Sequence, residues 1–269
     1  MTEISKPTIE AESVIVSYPK KGVAQITIES KPLGVLRHAV KRALLQAIDN
    51  LEQNKSIRCC ILTGTGKAFS VGSDIHDFSA EVGWLLENDY WEASLNQQIE
   101  EARFPVIAAI NGYALGGGAV LTLACDIRIA CESAVFAFPE VKVGAFASGS
   151  GTQRLPRLVG RGRALDLLLT GREITAQQAL QYGMIEYVFE DDTFFEQTLA
   201  LAEQIATYSG IATESTKACV NRGLREGWQV GLNTESDLRA KTGGLHDAIE
   251  GRNAFLEKRK PVFNQNEES

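Results

Sequence analysis

Three stretches of this chain carry the residue types that catalysis uses. In Phe136-Ala137-Phe138-Pro139-Glu140-Val141-Lys142-Val143-Gly144, one carboxylate stands among apolar neighbours. Burial raises the pKa of such a group toward the range in which it exchanges protons with a substrate. A solvent-facing Glu140 paired with Lys142 is the competing reading. The stretch Asn111-Gly112-Tyr113-Ala114-Leu115-Gly116-Gly117-Gly118 ends on three glycines that open an apolar helix. Glycines there cost backbone entropy. A helix N-terminus offers unpaired N–H groups and a partial positive charge, so it suits an anion or a developing oxyanion. Tight packing of the helix against a sheet would explain the same glycines. The third stretch, Gly64 to Ile75, follows an apolar run and contains Gly64, Gly66 and Gly72. Its backbone can approach a ligand closely, or it is a plain surface turn. Its spacing does not match GxxxxGK[ST], so no nucleotide cradle is supported.

The elements that must carry these loops alternate. Val14 to Tyr18 and Val23 to Ile28 read as strands around the turn Pro19-Lys20-Lys21-Gly22. Leu36, Val40, Ala43, Leu44, Ala47, Ile48 and Leu51 recur at helical spacing, with Lys41, Arg42 and Gln46 on the polar side. Arg58 to Leu62, Val106 to Ile110 and Asp126 to Ala130 are short apolar runs of the kind covered on both faces. A helix from about Glu81 to Arg103 and one through Ala124 separate them. Alternation of strand and helix implies crossovers and a mainly parallel sheet, hence an α/β fold. Beyond Leu155 the pattern turns helical: 158–169, 175–182, 193–208, 210–225 and 228–242, with one strand at Ile185 to Phe189. The division expected is a core of residues 1–195 and a helical region of residues 196–269 that packs on a partner subunit or on its own core.

Composition narrows the function classes. At 269 residues, 44% hydrophobic and 23% charged, the chain is an ordinary globular protein. A net charge of -7 argues against general nucleic-acid binding, which needs clustered Lys and Arg. No apolar run approaches a membrane span, and the polar first residues lack the pattern of a signal peptide. Five cysteines, four in apolar stretches and none in CxxC spacing, read as reduced core thiols in a reducing compartment. The three histidines are scattered, which speaks against a zinc site. A cytoplasmic protein is expected.

Taken together, the three stretches resemble the enoyl-CoA hydratase/isomerase (crotonase) superfamily. The likeness runs through Leu62-Thr63-Gly64 to Ile75, Pro105 to Gly118, Cys125-Asp126-Ile127-Arg128-Ile129-Ala130 and Phe138-Pro139-Glu140. It continues through Gly151-Thr152-Gln153-Arg154-Leu155, Leu169-Thr170-Gly171 and a closing segment from Glu250 to Lys260. The resemblance implies a crotonase-like ββα superhelix that holds an acyl-CoA, with a C-terminal helical region that builds a homotrimer or a dimer of trimers. It implies an oxyanion hole made by the N–H groups of Ser73 and Gly117, with Glu140 as acid/base. It places Ala68, Val71, Asp74, Ile75, Gly116, Val120 and Lys258 on the substrate side, Lys258 toward the CoA of a neighbouring subunit. No cofactor is implied beyond the coenzyme A of the substrate, and no membrane or nucleic-acid partner.

One departure matters most. Hydratases of the family use two glutamates, and the first maps onto Val120, which cannot ionise or hydrogen-bond. With Glu140 alone, water addition loses half its acid–base groups, whereas moving a double bond needs one carboxylate. The sequence therefore favours double-bond isomerisation of an enoyl-CoA, with 2-enoyl-CoA hydration, or a weakly active or purely binding relative, as alternatives. Glu87 or Asp89 on the pocket-shaping helix could supply a second acid, or be solvated. His76 stands where the family often has Lys, the segment Lys31 to Leu36 lacks a frequent Asn, and Trp84 and Trp91 share a helix face that lines the pocket or the core. His38 and His246 are expected at the surface.

Overall fold

The computed structural model describes residues 14–74 and 81–264, apart from the side chains at 84, 85, 88 and 89. The chain opens with the antiparallel pair β1 (Val14–Lys20) and β2 (Val23–Ile28), followed by helix α1 (His38–Gln53). Two units of the same design come next. β3 (Cys59–Gly64), β4 (Ala68–Ser70) and α2 (Val82–Glu101) form one; β5 (Val106–Ile110), β6 (Tyr113–Leu115) and α3 (Gly117–Ala124) form the other. β7 (Ile127–Cys131) and β8 (Val135–Ala137) begin a third, which leads into a short 3-10 turn at Pro139–Val143. Then follow α4 (Gly151–Val159), α5 (Arg161–Thr170), β9 (Ile174–Thr175), α6 (Ala176–Tyr182), β10 (Tyr187–Phe189) and α7 (Phe194–Ala206). The helices α8 (Gly210–Glu226), α9 (Trp228–Thr242) and α10 (His246–Glu257) close the chain.

In each unit the longer strand joins one sheet and the shorter strand joins another. The six-stranded sheet runs β1-β2-β3-β5-β7-β10, parallel from β2 onward. The four-stranded sheet runs β4-β6-β8-β9, with only β9 antiparallel. This is the mixed α/β, crotonase-like fold expected. β3 and β5 are buried along their length, as their continuous apolar runs require, and α7 lies across β2, β3, β5 and β7. The short sheet was not legible beforehand. Its strands are two or three residues long, too brief to show any alternation.

Three local readings change. The single helix expected at 158–169 is two, divided at Gly160, whose φ of +79° ends α4. α10 was unmarked by periodicity. Lys41, assigned to the polar side of α1, is buried, because the stripe Val40, Leu44, Ile48 and Leu51 carries it toward the interior. Four cysteines are buried free thiols and Cys219 is half-buried, with burial pushing Cys59 and Cys125 up to about 12. No described helix is long and apolar enough to cross a membrane.

Candidate active site

The glycines of α3 place this helix's N-terminus under the loop that leaves β4. Gly116 N–H donates to Ala137 O at 2.9 Å, tying the start of α3 to β8. Gly116 itself adopts φ +53° and ψ -128°, a conformation a side chain would oppose. On the other side, Ser70 Oγ donates to Gly34 O at 2.6 Å and accepts Gly72 N–H at 3.1 Å. Leu36 N–H donates to Gly72 O at 2.8 Å and Val71 N–H to Leu33 O at 3.2 Å, so residues 33–36 hold the loop at 71–73 from behind. A Cβ on Gly72 would come 2.8 Å from Gly117 N, and one on Gly117 would stand 3.7 Å from Ser73 N. The backbone nitrogens of Ser73 and Gly117 therefore lie close to each other. Among the described residues neither donates to an acceptor. A Cβ at Gly117 would meet only ordinary contacts with the protein.

Glu140, at the second position of the 3-10 turn, lies on the same side. A Cβ on Gly116 would be 3.4 Å from Glu140 Oε1. Its Oε2 is buried with no hydrogen-bond partner among the described residues. The peptide carbonyl of Glu140 accepts Ala145 N–H at 3.0 Å, which closes the turn beneath the side chain. Burial is the main cause that raises its pKa above the usual glutamate range; its own N–H works against this and the charge of Glu92 adds to it. Phe138 is buried beneath it, but Val143, read as part of its apolar shell, faces solvent. Lys142 is exposed and is not the partner of Glu140.

The remaining candidates divide. Ala68 is buried in β4 and Val71 is half-buried on the loop. Asp74 is engaged by Arg37 at 2.9 Å. Val120 is buried against α4, where a Cβ on Gly151 would meet its Cγ2 at 2.7 Å. Lys258 sits in a left-handed conformation at the end of α10, exposed. Ile75 and His76 lie outside the described residues, as do the side chains of Trp84 and Asp89. Glu87 is exposed and accepts from Trp91 Nε1 at 3.3 Å, not turned to the site. His38 is half-buried at the start of α1 and His246 is exposed.

The acid that α2 does bring to the site is Glu92. Its Oε1 accepts Lys41 Nζ at 2.7 Å and Ser73 Oγ at 2.7 Å, and Ser148 Oγ reaches its Oε2 at 3.4 Å. Asn96, one turn on, donates to Gly149 O at 2.7 Å and fixes the loop between the 3-10 turn and α4. Sequence reasoning missed Glu92, although a signal existed. Counting back from the buried Ile99, Asn96 and Leu95 at helical spacing puts residue 92 on the inward face. As a whole the arrangement brings the backbones of Ser73 and Gly117 and the Glu140 carboxylate to the N-terminal end of α3. Backbone amides and a carboxylate are the groups that enolate chemistry uses. Among the described residues no group of three or more His, Cys, Asp or Glu side chains is placed to hold a metal ion.

The family model for enoyl-CoA hydratase/isomerase matches residues 19–266. The chain is 37% identical over 231 residues to the 2,3-dehydroadipyl-CoA hydratase of Escherichia coli, covering 84% of this chain and 90% of that protein. It is 36% identical over 235 residues to the mitochondrial enoyl-CoA hydratase of Pongo abelii, covering 87% and 80%. The crystal structure of an enoyl-CoA hydratase from Bacillus anthracis superposes with a TM-score of 0.90 at 35% identity, over 93% of this chain and 98% of that one.

Proposed function

Because the chain belongs to the enoyl-CoA hydratase/isomerase family, we propose that it binds an enoyl-CoA, takes the thioester oxygen between the N–H groups of Ser73 and Gly117, and uses Glu140 to move protons on the acyl chain. The reaction these groups complete without further help is a double-bond shift. The Glu140 carboxylate removes a proton from C2 of a 3-enoyl thioester. The electron pair runs to the carbonyl oxygen as a dienolate, held by the two N–H groups. Collapse of the dienolate forms C2=C3, and Glu140 returns the proton to C4. One donor of such a hole typically lowers the barrier by roughly 3–4 kcal/mol. The observation that carries the reading is the buried, unpartnered Oε2 of Glu140 beside Gly116, in a site where position 120 offers no second acid.

A second reading, hydration of a 2-enoyl-CoA, is favoured by Glu92. Its carboxylate reaches Ser148, on the loop that leads into Gly151, the residue that packs on Val120, so a second acid stands on the segment next to the place of the absent one. Coenzyme A enters as part of the substrate. Ala68, Val71, Asp74, Ile75 and Gly116 would line its path, and Lys258 would serve the CoA of a neighbouring subunit. We assign residues 196–269 to assembly of a homotrimer or a dimer of trimers; exposed Leu224, Trp228 and Phe255 on α8, α9 and α10 support that assignment.

The test is a panel of 2-enoyl- and 3-enoyl-CoAs read by mass spectrometry and absorbance, with Glu140→Gln as control. Isomerisation gives a conjugated thioester of unchanged mass from the 3-enoyl substrate. Hydration gives a product heavier by one water from the 2-enoyl substrate. Full activity in Glu140→Gln would sink both readings.

A further inference from the structure

Lys41 is the most deeply buried charged side chain near the site, at 1% exposure, and nothing in the chemistry above uses it. Its Nζ reaches Glu92 Oε1 at 2.7 Å and Ser73 Oγ at 3.1 Å. Ser73 Oγ donates to the same Glu92 Oε1 at 2.7 Å. The hydroxyl of Ser73 thus accepts from a cation and donates to an anion, two charge-assisted bonds from two different helices, α1 and α2. A buried ion pair is weak support for stability, because desolvation cancels much of the attraction. A pair in which both charges hydrogen-bond the same serine does something more specific: it restrains where that residue sits.

The need for such a fixture is visible in the backbone. Ser73 follows Gly72, at φ +86°, in a loop whose backbone hydrogen bonds, among the described residues, lie at residues 71 and 72. The N–H of Ser73 has no acceptor of its own among the described residues. The two hydrogen bonds of its side chain are therefore the restraints on this residue nearest to that N–H.

We propose that Lys41 and Glu92 are positioning residues that latch Ser73, and through it hold the Ser73 N–H in register with the Gly117 N–H. The proposal rests on the oxyanion-hole reading given above, and applies whether the product is an isomer or a hydrate. Ser148 Oγ steadies the second oxygen of Glu92, and Asp74, the next residue in the loop, is separately engaged by Arg37. The Glu92 charge also faces Glu140, so removing it makes Glu140 a weaker base.

A conjugated aryl-enoyl-CoA reports on this directly, since donors at its thioester oxygen polarise it and move its absorbance to longer wavelength. Wild type and Glu140→Gln are expected to produce the same red shift on binding it. Ser73→Ala keeps the N–H and the buried ion pair but removes the latch. It should lose most of the red shift and roughly 10- to 100-fold in kcat, with KM changed less than threefold. Glu92→Gln should do the same and move the acid limb of the pH–rate profile to lower pH. Lys41→Arg should recover part of the shift that Lys41→Met loses. If Glu92→Gln fails to fold, Ser73→Ala decides alone. Full red shift and full kcat in Ser73→Ala overturn the latch while leaving the oxyanion hole standing. Absence of a red shift in wild type overturns the oxyanion hole and the latch with it.

Discussion

Gly116 and Glu140 meet at the N-terminal end of α3, where a Cβ on the glycine would come within 3.4 Å of Glu140 Oε1. The carboxylate thereby lies beside the residue that precedes Gly117. Replacing it tests the acid–base role with little change of shape. Glu140→Gln is expected to lose about 10²- to 10⁴-fold in kcat with a small change in KM. Steady-state kinetics on whichever enoyl-CoA the panel identifies would check this; a loss under tenfold removes Glu140 from the chemistry.

The same carboxylate should weaken the fold at neutral pH. Burial raises its folded-state pKa above the unfolded value, and Glu92 adds to the rise. Below the unfolded value both states are protonated and the group contributes nothing. As pH climbs through the folded-state value, the native carboxyl must ionise in an apolar setting, and stability is lost. Glu140→Gln escapes this. Its Tm should match wild type near pH 4 and exceed it increasingly toward neutrality. Equal Tm values at both ends would mean the side chain is better solvated than its buried Oε2 implies.

Val120 asks whether position alone limits water addition. The side chain is buried against Gly151, so a glutamate there must displace close contacts or turn toward the cleft. Val120→Glu is expected to raise the rate of crotonyl-CoA hydration, read from the decay of thioester absorbance. It should also cost about 1–3 kcal/mol of stability for the newly buried polar group. An unchanged hydration rate in a folded variant would show that Glu92 already fills the role.

Legibility followed the length of each signal. β3 and β5 announced themselves because four or five consecutive apolar residues need cover on both faces, and Gly116–Gly118 because three glycines need a reason. β4, β6 and β8, which aim the three loops at one another, are too short to carry a period, so the meeting of Ser73, Gly117 and Glu140 came only from resemblance. Lys41 and Glu92 were hidden for a different reason. Charged residues are assigned to solvent by default, and only their opposite partner, far off in sequence on another helix, makes burial tolerable.

A second buried pair shows how the closing helices are held. Lys217 of α8 reaches Asp126 Oδ2 at 2.7 Å, and its remaining donors meet Ile99 O at 2.9 Å and Phe104 O at 3.1 Å. Asp126 Oδ2 also accepts Val106 N–H at 2.7 Å, so the pair joins α8 to the starts of β5 and β7. Burial lifts the Asp126 pKa even with the lysine beside it. Lys217→Met leaves that carboxylate without its cation and strips two carbonyls of their donor, which should cost about 3–5 kcal/mol. The deficit should shrink as pH falls and Asp126 takes up a proton, since the protonated acid no longer needs a cation. Asp126→Asn combined with Lys217→Met keeps an acceptor for Val106 N–H and removes the stranded charge, so the double variant should recover part of the loss. Urea melts at neutral and acid pH measure all three. A loss below about 1 kcal/mol in Lys217→Met, far under the usual cost of stranding a buried charge, would show that packing alone docks α8.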